Sequence, residues 1–196
     1  MIFLCAGSEP IYADPTVQHC LKAMGKAVHF FGKGEVGCGT RAKLVVNSLM
    51  GTMMAAFGES LALAESVGLD GDKMLEVIGQ GAIASPMYAL KGPKMLKKDH
   101  APNFPLEHAH KDMKLAVDMA KEAGVEYAVT QKAEELFQTA RDDKELNVAE
   151  EDFSAVFETI HKESKSEYSK KRRLVIPFLL FLRIIFFAVC NRKSLS

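Results

Sequence analysis

One lysine and one asparagine, four positions apart, are the residues of this sequence with the clearest potential for chemistry. Lys43 and Asn47 follow a glycine pair, Gly37 and Gly39, in the stretch GCGTRAKLVVN. Residues four apart lie on the same face of a helix, so both side chains can contact one bound molecule. A lysine partly dehydrated by the apolar residues 44–46 could donate a proton to a carbonyl oxygen. The alternative is that Lys43 extends to solvent from a buried helix and Asn47 only caps or hydrates it.

A long apolar segment carries both residues. Residues 41–67 are rich in alanine, leucine and methionine, and Gly68 follows them at a position typical of the residue just after a helix. Apolar residues cover nearly the whole circumference of this predicted helix, which indicates burial on all sides. We therefore expect a central helix with a partner subunit against one flank.

Shorter elements are predicted on either side of it. Ahead of the glycine pair we expect strands at 2–7 and 28–31 and a helix at 15–24. After it we expect helices at 73–78, 87–96, 106–123, 129–141 and 151–163. Asp70 or Asp72 can cap the first of these helices. Gly92 and Pro93 are expected to interrupt the second one.

Four stretches of this sequence resemble the β-hydroxyacid dehydrogenases, a family that includes 3-hydroxyisobutyrate dehydrogenase. Residues 37–47 are similar to the family's catalytic signature, Gly-x-Gly-x-x-x-Lys-x-x-x-Asn. Residues 79–93 (GQGAIASPMYALKGP) resemble its glyoxylate/succinic semialdehyde reductase branch in particular. The other two stretches are 104–116 (FPLEHAHKDMKLA) and 152–156 (DFSAV). The resemblance covers roughly residues 1–163, and four motifs in register are more specific than any one alone.

The resemblance implies a mainly helical fold with three parts. Residues 35–163 would form an all-helical substrate and dimerisation domain of the 6-phosphogluconate dehydrogenase-like C-terminal type, with a long central helix. Residues 1–34 would be a small α/β remnant of the end of a Rossmann cofactor domain. We expect no dinucleotide-binding site, because we identify no Gly-x-Gly-x-x-Gly after a strand and no acidic residue about 20 positions later. We therefore expect a truncated form that lacks most of the cofactor domain and is inactive alone.

The resemblance also assigns roles to five residues. Lys43 would be the catalytic proton donor, and Asn47, Phe104 and Asp112 would bind the substrate. Lys111 would contact the cofactor, NADPH, with NADH as the alternative. The implied substrate is a small aldehyde acid such as glyoxylate or succinic semialdehyde. Without the family, Phe104 could be an ordinary core anchor, and Lys111 and Asp112 an exposed charged pair of little energetic value.

A non-catalytic role is the second hypothesis, namely a helical dimerisation or interaction module. A nuclear relative in this family keeps the fold without the catalytic lysine, whereas this sequence retains Lys43. Under either hypothesis we expect a homodimer or a higher homo-oligomer. Lysine plus arginine and aspartate plus glutamate balance at 25 each, so no net field attracts nucleic acid.

Composition also bears on metals and on the cellular compartment. The four cysteines lack the spacing of a metal site, so no bound metal is expected. They are most simply the reduced thiols of an intracellular protein. We expect the cytoplasm, or a plastid or mitochondrion if an upstream targeting segment is missing.

Residues 164–196 differ in composition from the rest. A basic run at 170–173 precedes an apolar stretch at 174–190, whose 17 residues would span ~25 Å as a helix against the ~30 Å of a bilayer core. Arg183 at its middle makes membrane insertion costly. Our first interpretation is a tail outside the fold, as in a truncated or mis-spliced product. A membrane anchor and a buried extra helix are the alternatives.

Overall fold

The computed structural model describes residues 1–33 and 36–164. The expectations for the basic run and for the apolar stretch at 174–190 concern residues outside these ranges.

A small two-stranded sheet begins the chain. Strand β1 (Ile2–Gly7) pairs in parallel with β2 (Ala27–Lys33), with Ile2 opposite Ala27. Two helices connect the strands, α1 (Glu9–Ala13) and α2 (Pro15–Met24). The side chain of Asp14 caps α2 by accepting from the backbone N–H of Thr16 at 2.8 Å. Both predicted strands and the helix at 15–24 are confirmed, while α1 was not predicted.

The remainder is helical, which confirms the mainly α class. The helices are α3 (Cys38–Ser66), α4 (Gly71–Gln80), α5 (Pro86–Lys97), α6 (Leu106–Glu122) and α7 (Ala128–Asp142), followed by a 3₁₀ turn (Phe153–Ala155) and helical residues 156–164. Gly68 has the positive φ of +81° expected just after α3. Asp70 caps α4 by accepting from the backbone N–H of Lys73 at 2.9 Å. These two end signals are confirmed.

Helix α3 is the centre of the fold, and α6 and α7 pack against it. Its buried residues join the core with side chains of α5, α6, α7 and the last helical segment, notably Met54, Phe57, Leu61, Met95, Met113, Phe137 and Phe157. The described elements bury part of the surface of α3 and leave one flank exposed, and the partner subunit expected against one flank stays a prediction. Val45, Leu49 and Leu63 lie on a flank that no described element covers, and Leu63 is 63% exposed.

Length and mean hydropathy make α3 the one helix among the described residues that could cross a membrane. This is weak evidence, because the core helix of a soluble protein meets the same criterion.

Glycines let neighbouring elements approach α3 closely. A Cβ on Gly51 would lie 2.3 Å from the Sδ of Met113 on α6. A Cβ on Gly39 would lie 2.2 Å from the backbone oxygen of Leu4, so the first turn of α3 packs directly on β1. Both glycines of the sequence motif are therefore required by the backbone. Gly39 permits the contact with β1, and Gly37 takes a φ of +97° at the start of α3.

Helix α5 continues through Gly92 and Pro93, contrary to the predicted interruption. A proline inside a helix removes one backbone hydrogen bond. Here the surrounding turn is held by packing, because Lys91, Gly92 and Met95 are all buried. A Cβ on Gly92 would meet the side chain of Leu75 at 2.5 Å, so α5 and α4 are in close contact at this point.

The contact of Gly39 with β1 predicts a specific sensitivity. Gly39→Ala should lower the free energy of unfolding by about 1–3 kcal/mol, because the new methyl group overlaps a backbone oxygen that cannot move without shifting the strand. The measurement is denaturant unfolding followed by circular dichroism. Gly79→Ala in α4 is the matched control, since a Cβ there meets nothing within 4 Å. Equal stabilities of the two variants would contradict this account of the packing.

Candidate active site

Lys43 and Asn47 point from α3 to one carboxylate on α6. The ammonium of Lys43 donates a hydrogen bond to Oδ2 of Asp112. The side-chain amide of Asn47 donates to the same oxygen at 2.7 Å. The predicted i, i+4 arrangement therefore converges on one atom, although that atom belongs to the protein rather than to a ligand.

Lys111 faces the other oxygen of the same carboxylate. Its Nζ lies 3.7 Å from Oδ1 of Asp112, while the side chain of Lys111 is 61% exposed and that of Asp112 only 3% exposed. The alternative of an exposed charged pair at 111–112 is therefore wrong for Asp112. A buried carboxylate is placed between two cations and one amide.

Opposing effects set the charge of Asp112. Burial alone raises the pKa of its carboxyl group, but the hydrogen bonds from Lys43 and Asn47 and the charges of Lys43 and Lys111 outweigh burial and hold that pKa below its ordinary value. Asp112 is therefore ionised at neutral pH, and it fixes the ammonium of Lys43 through an ionic hydrogen bond.

The environment of Lys43 differs from the expectation in one respect. Its flanking residues Val45 and Val46 are 52% and 59% exposed, so they do not dehydrate the lysine as predicted. The Lys43 side chain is itself 44% exposed. An ammonium has three N–H donors, and among the described residues its hydrogen-bond partner is Asp112. Donors thus remain for a ligand that approaches from solvent.

Phe104 lies on the connector between α5 and α6. Its ring packs edge-on against Phe153, with the ring centroids 5.9 Å apart. Its backbone N–H points to Asp152 at 3.3 Å. Four of the five predicted residues therefore meet at Asp112, whereas the contacts of Phe104 are with residues 152–153.

Two buried polar groups were not predicted. Lys91 and Asp152 form an ion pair with a 2.6 Å separation between Nζ and Oδ2. His110, next to Lys111, bonds through Nε2 to Glu134 at 2.7 Å and through Nδ1 to Arg141 at 2.9 Å. The motifs at 79–93 and 152–156 contain the ion pair, but residues 61 positions apart give no sequence signal of contact.

A third buried group contains a serine, a histidine and a glutamate, as a hydrolase triad does, but its serine is not accessible to a substrate. His100 bonds through Nδ1 to Ser154 at 3.0 Å and through Nε2 to Glu158 at 3.3 Å. Ser154 is fully buried, so its hydroxyl cannot meet a substrate. We interpret this group as structural.

The expectation that no Gly-x-Gly-x-x-Gly follows a strand is wrong. Residues 32–37, GKGEVG, have this spacing, begin in the last two residues of β2 and end directly before α3. A dinucleotide-binding unit needs a second parallel strand after its helix. Helix α3 runs for 29 residues and, within 36–164, is followed by helices and no strand. The described part therefore does not form that unit.

Within 1–33 and 36–164, no group of three histidine, cysteine, aspartate or glutamate side chains is arranged to hold a metal ion.

Comparisons with known proteins agree on one family. A family model described as NAD-binding of NADP-dependent 3-hydroxyisobutyrate dehydrogenase matches residues 37–160. The chloroplastic glyoxylate/succinic semialdehyde reductase 2 of Arabidopsis thaliana is 44% identical over 85% of this chain and 44% of the relative. Glyoxylate/succinic semialdehyde reductase 1 of the same plant is 39% identical over 82% of this chain and 53% of the relative.

A solved structure has the same fold. The 3-hydroxyisobutyrate dehydrogenase of Salmonella typhimurium matches with a TM-score of 0.70 and 26% identity, over 79% of this chain and 52% of that one. The chain spans about half the length of the curated relatives it matches.

The low pKa of Asp112 predicts a pH dependence of stability. A carboxyl group whose pKa is lowered by folding stabilises the fold above its unfolded pKa, and this contribution is lost as the pH falls through the folded pKa. Asp112→Asn should lower the free energy of unfolding by about 1–3 kcal/mol at pH 7. The difference from wild type should shrink as the pH falls below about 4.

Urea unfolding at a series of pH values tests this expectation. Asp118→Asn is the control, because Asp118 lies on the same helix with its side chain 55% exposed. The account fails if the Asp112 and Asp118 variants lose the same stability, or if the Asp112 difference is constant with pH.

Proposed function

This chain belongs to the NADP-dependent 3-hydroxyisobutyrate dehydrogenase family, and from that premise we propose that it carries the substrate side of an NADPH-dependent reductase. The proposed substrates are small aldehyde acids, glyoxylate and succinic semialdehyde, which appear in the names of the Arabidopsis relatives. The convergence of Lys43, Asn47 and Asp112 is the observation that carries the proposal. We further assign residues 35–163 to the 6-phosphogluconate dehydrogenase-like C-terminal domain type, and 1–34 to the end of a cofactor domain.

Reduction of an aldehyde adds a hydride to carbon and a proton to oxygen. We assign the proton to the ammonium of Lys43, whose partial exposure lets solvent return the proton afterwards. Asp112 holds this ammonium from the buried side, and the remaining N–H donors of Lys43 stay available to the substrate. The amide of Asn47, held by the same carboxylate, would orient the substrate oxygen.

The remaining assignments concern binding. Phe104 would close the site over the substrate. Lys111, exposed beside Asp112, fits a contact with an anionic cofactor such as NADPH or, as the alternative, NADH. When bound, the nicotinamide supplies the hydride. The proposed compartment is the cytoplasm, or a plastid as in the name of the chloroplastic relative.

We propose a homodimer formed through one flank of α3. This α3 flank consists of the exposed residues Val45, Leu49, Ala56, Leu63 and Val67. Positions 45 and 49 are two residues on from 43 and 47, a rotation of about 200° around the helix. Association through the α3 flank would therefore leave Lys43 and Asn47 free. The same flank supports the second candidate function, a non-catalytic dimerisation module.

The role of Lys43 predicts a distinctive pair of variants. The assay uses a fusion in which the N-terminal part of the Arabidopsis reductase 2 precedes this chain, with NADPH and glyoxylate. Lys43→Ala should lower kcat by ~10²–10⁴-fold, the usual contribution of a general acid. Lys43→Arg should not restore kcat, because a guanidinium does not give up its proton near neutral pH.

Lys114→Ala on α6 is the matched control, since this lysine is 61% exposed and should leave the rate unchanged. If Lys43 only binds the substrate charge, the arginine variant recovers the rate and the loss is in KM. That result would remove Lys43 from acid catalysis. An inactive fusion with wild-type Lys43 would count against the reductase proposal as a whole.

The α3 flank predicts self-association. Residues 1–163 should form a dimer at tens of micromolar, and Leu49→Glu should convert it to monomer, because a charge would be buried at the interface. Sedimentation equilibrium measures this. Ile83→Glu is the control, since Ile83 is 66% exposed, against 59% for Leu49, but lies outside α3. A wild-type monomer, or an unchanged dimer in the Leu49 variant, would contradict the proposal.

A further inference from the structure

A buried ion pair joins α5 to the segment before the last helix. It lies outside the Lys43 cluster, which consists of Lys43, Asn47, Lys111 and Asp112. Lys91 and Asp152 are 3% and 0% exposed, and Nζ of Lys91 lies 2.6 Å from Oδ2 of Asp152. Placing two charges in the interior carries a large desolvation penalty, which further hydrogen bonds must offset. Both charged groups are therefore expected to make further hydrogen bonds.

The carboxylate of Asp152 binds the backbone of the α5–α6 connector. Its Oδ2 accepts from the N–H of Asn103 at 3.1 Å and from that of Phe104 at 3.3 Å. Its Oδ1 accepts from the N–H of Ser154 at 3.1 Å. Burial raises the pKa of Asp152, but the hydrogen bonds from Lys91 and Ser154 outweigh burial and keep that pKa below its ordinary value.

Backbone hydrogen bonds run along the same connector on both sides of this carboxylate. The N–H of Asp152 donates to the carbonyl of His100 at 2.9 Å, and that of Phe153 donates to the carbonyl of Phe104 at 2.9 Å. The N–H of Leu106, the first residue of α6, donates to the carbonyl of Glu151 at 2.8 Å. The start of α6 is thus attached to residues 151–153.

Lys91 contacts the same connector through its ammonium group. Its Nζ donates to the side-chain oxygen of Asn103 at 3.3 Å. It also lies 5.0 Å from the centre of the Phe153 ring, a cation–π distance. The Phe153 ring in turn packs edge-on against Phe104. Lys91 therefore reaches Phe104 through two routes, the Asp152 carboxylate and the Phe153 ring.

We propose that Lys91 and Asp152 form a positioning pair that holds Phe104 and the start of α6 in place for the substrate. Asp112 lies six residues after Leu106 on the same helix, so a shift of the connector would move both predicted substrate contacts. An apolar pair could fill the same volume, but it could not accept two backbone N–H groups of the connector. This inference rests on the proposed function of the Lys43 cluster.

The first test asks whether the pair holds the connector, and its readout does not depend on enzyme activity. Amide hydrogen exchange is measured by NMR on the full chain. Asp152→Asn should speed exchange at the amides of Asn103 and Phe104 by about tenfold, with no change at Met113. Lys91→Met should do the same if it folds. Lys97→Met is the matched control, because Lys97 also lies on α5 and its side chain is exposed.

The second test asks whether the pair acts on substrate binding. Succinic semialdehyde is titrated into the full chain, and the side-chain amide of Asn47 is followed by NMR. Asp152→Asn and Phe104→Ala should each weaken binding by about tenfold, and the double variant should be little worse than either single one. Phe137→Leu, a core substitution in α7, is the control for general destabilisation.

The outcomes separate the two proposals. Unchanged exchange at Asn103 and Phe104 in Asp152→Asn would overturn the positioning pair. So would faster exchange with unchanged affinity, or an equal loss of affinity in Phe137→Leu. If the wild-type chain does not bind the semialdehyde, the proposed function fails instead, and the exchange result alone decides whether the pair holds the connector.

Discussion

The ionic hydrogen bond between Lys43 and Asp112 is the interaction on which the rest of the site depends. It joins α3 to α6, and it requires the two helices to approach closely. Gly51, two turns after Lys43, permits that approach because Met113 occupies the space of its missing side chain. The same carboxylate also binds Asn47 and faces Lys111. One buried anion thereby sets the positions of three polar side chains.

The sequence predicted the parts of this site that depend on local geometry. The i, i+4 spacing of Lys43 and Asn47, the glycine after α3 and the aspartate before α4 are local signals, and all are found in the structure. Contacts between distant residues had no such signal. The pairing of Lys43 with Asp112 spans 69 positions, and the sequence could only suggest that both residues belong to one site by resemblance to a family.

Other differences arise because tertiary packing overrides local preference. Pro93 was expected to break α5, but the buried residues around it keep the helix continuous. Residues 44–46 were expected to dehydrate Lys43, but two of them face away from the described core. The hydrophobic period of α3 shows that its surface is apolar. It does not show which part of that surface another element of the same chain covers.

Most of the chain's resemblance to its family lies in the helical part, which carries the lysine, the asparagine and the buried aspartate. Carbon-13 NMR titration of the Asp112 carboxyl carbon tests the central claim most directly. In the wild-type chain the measured pKa should lie below the ordinary value of about 3.9. In Lys43→Met it should rise, because a hydrogen bond and a charge are both lost. An ordinary pKa in the wild type, or the same value in both proteins, would contradict the account.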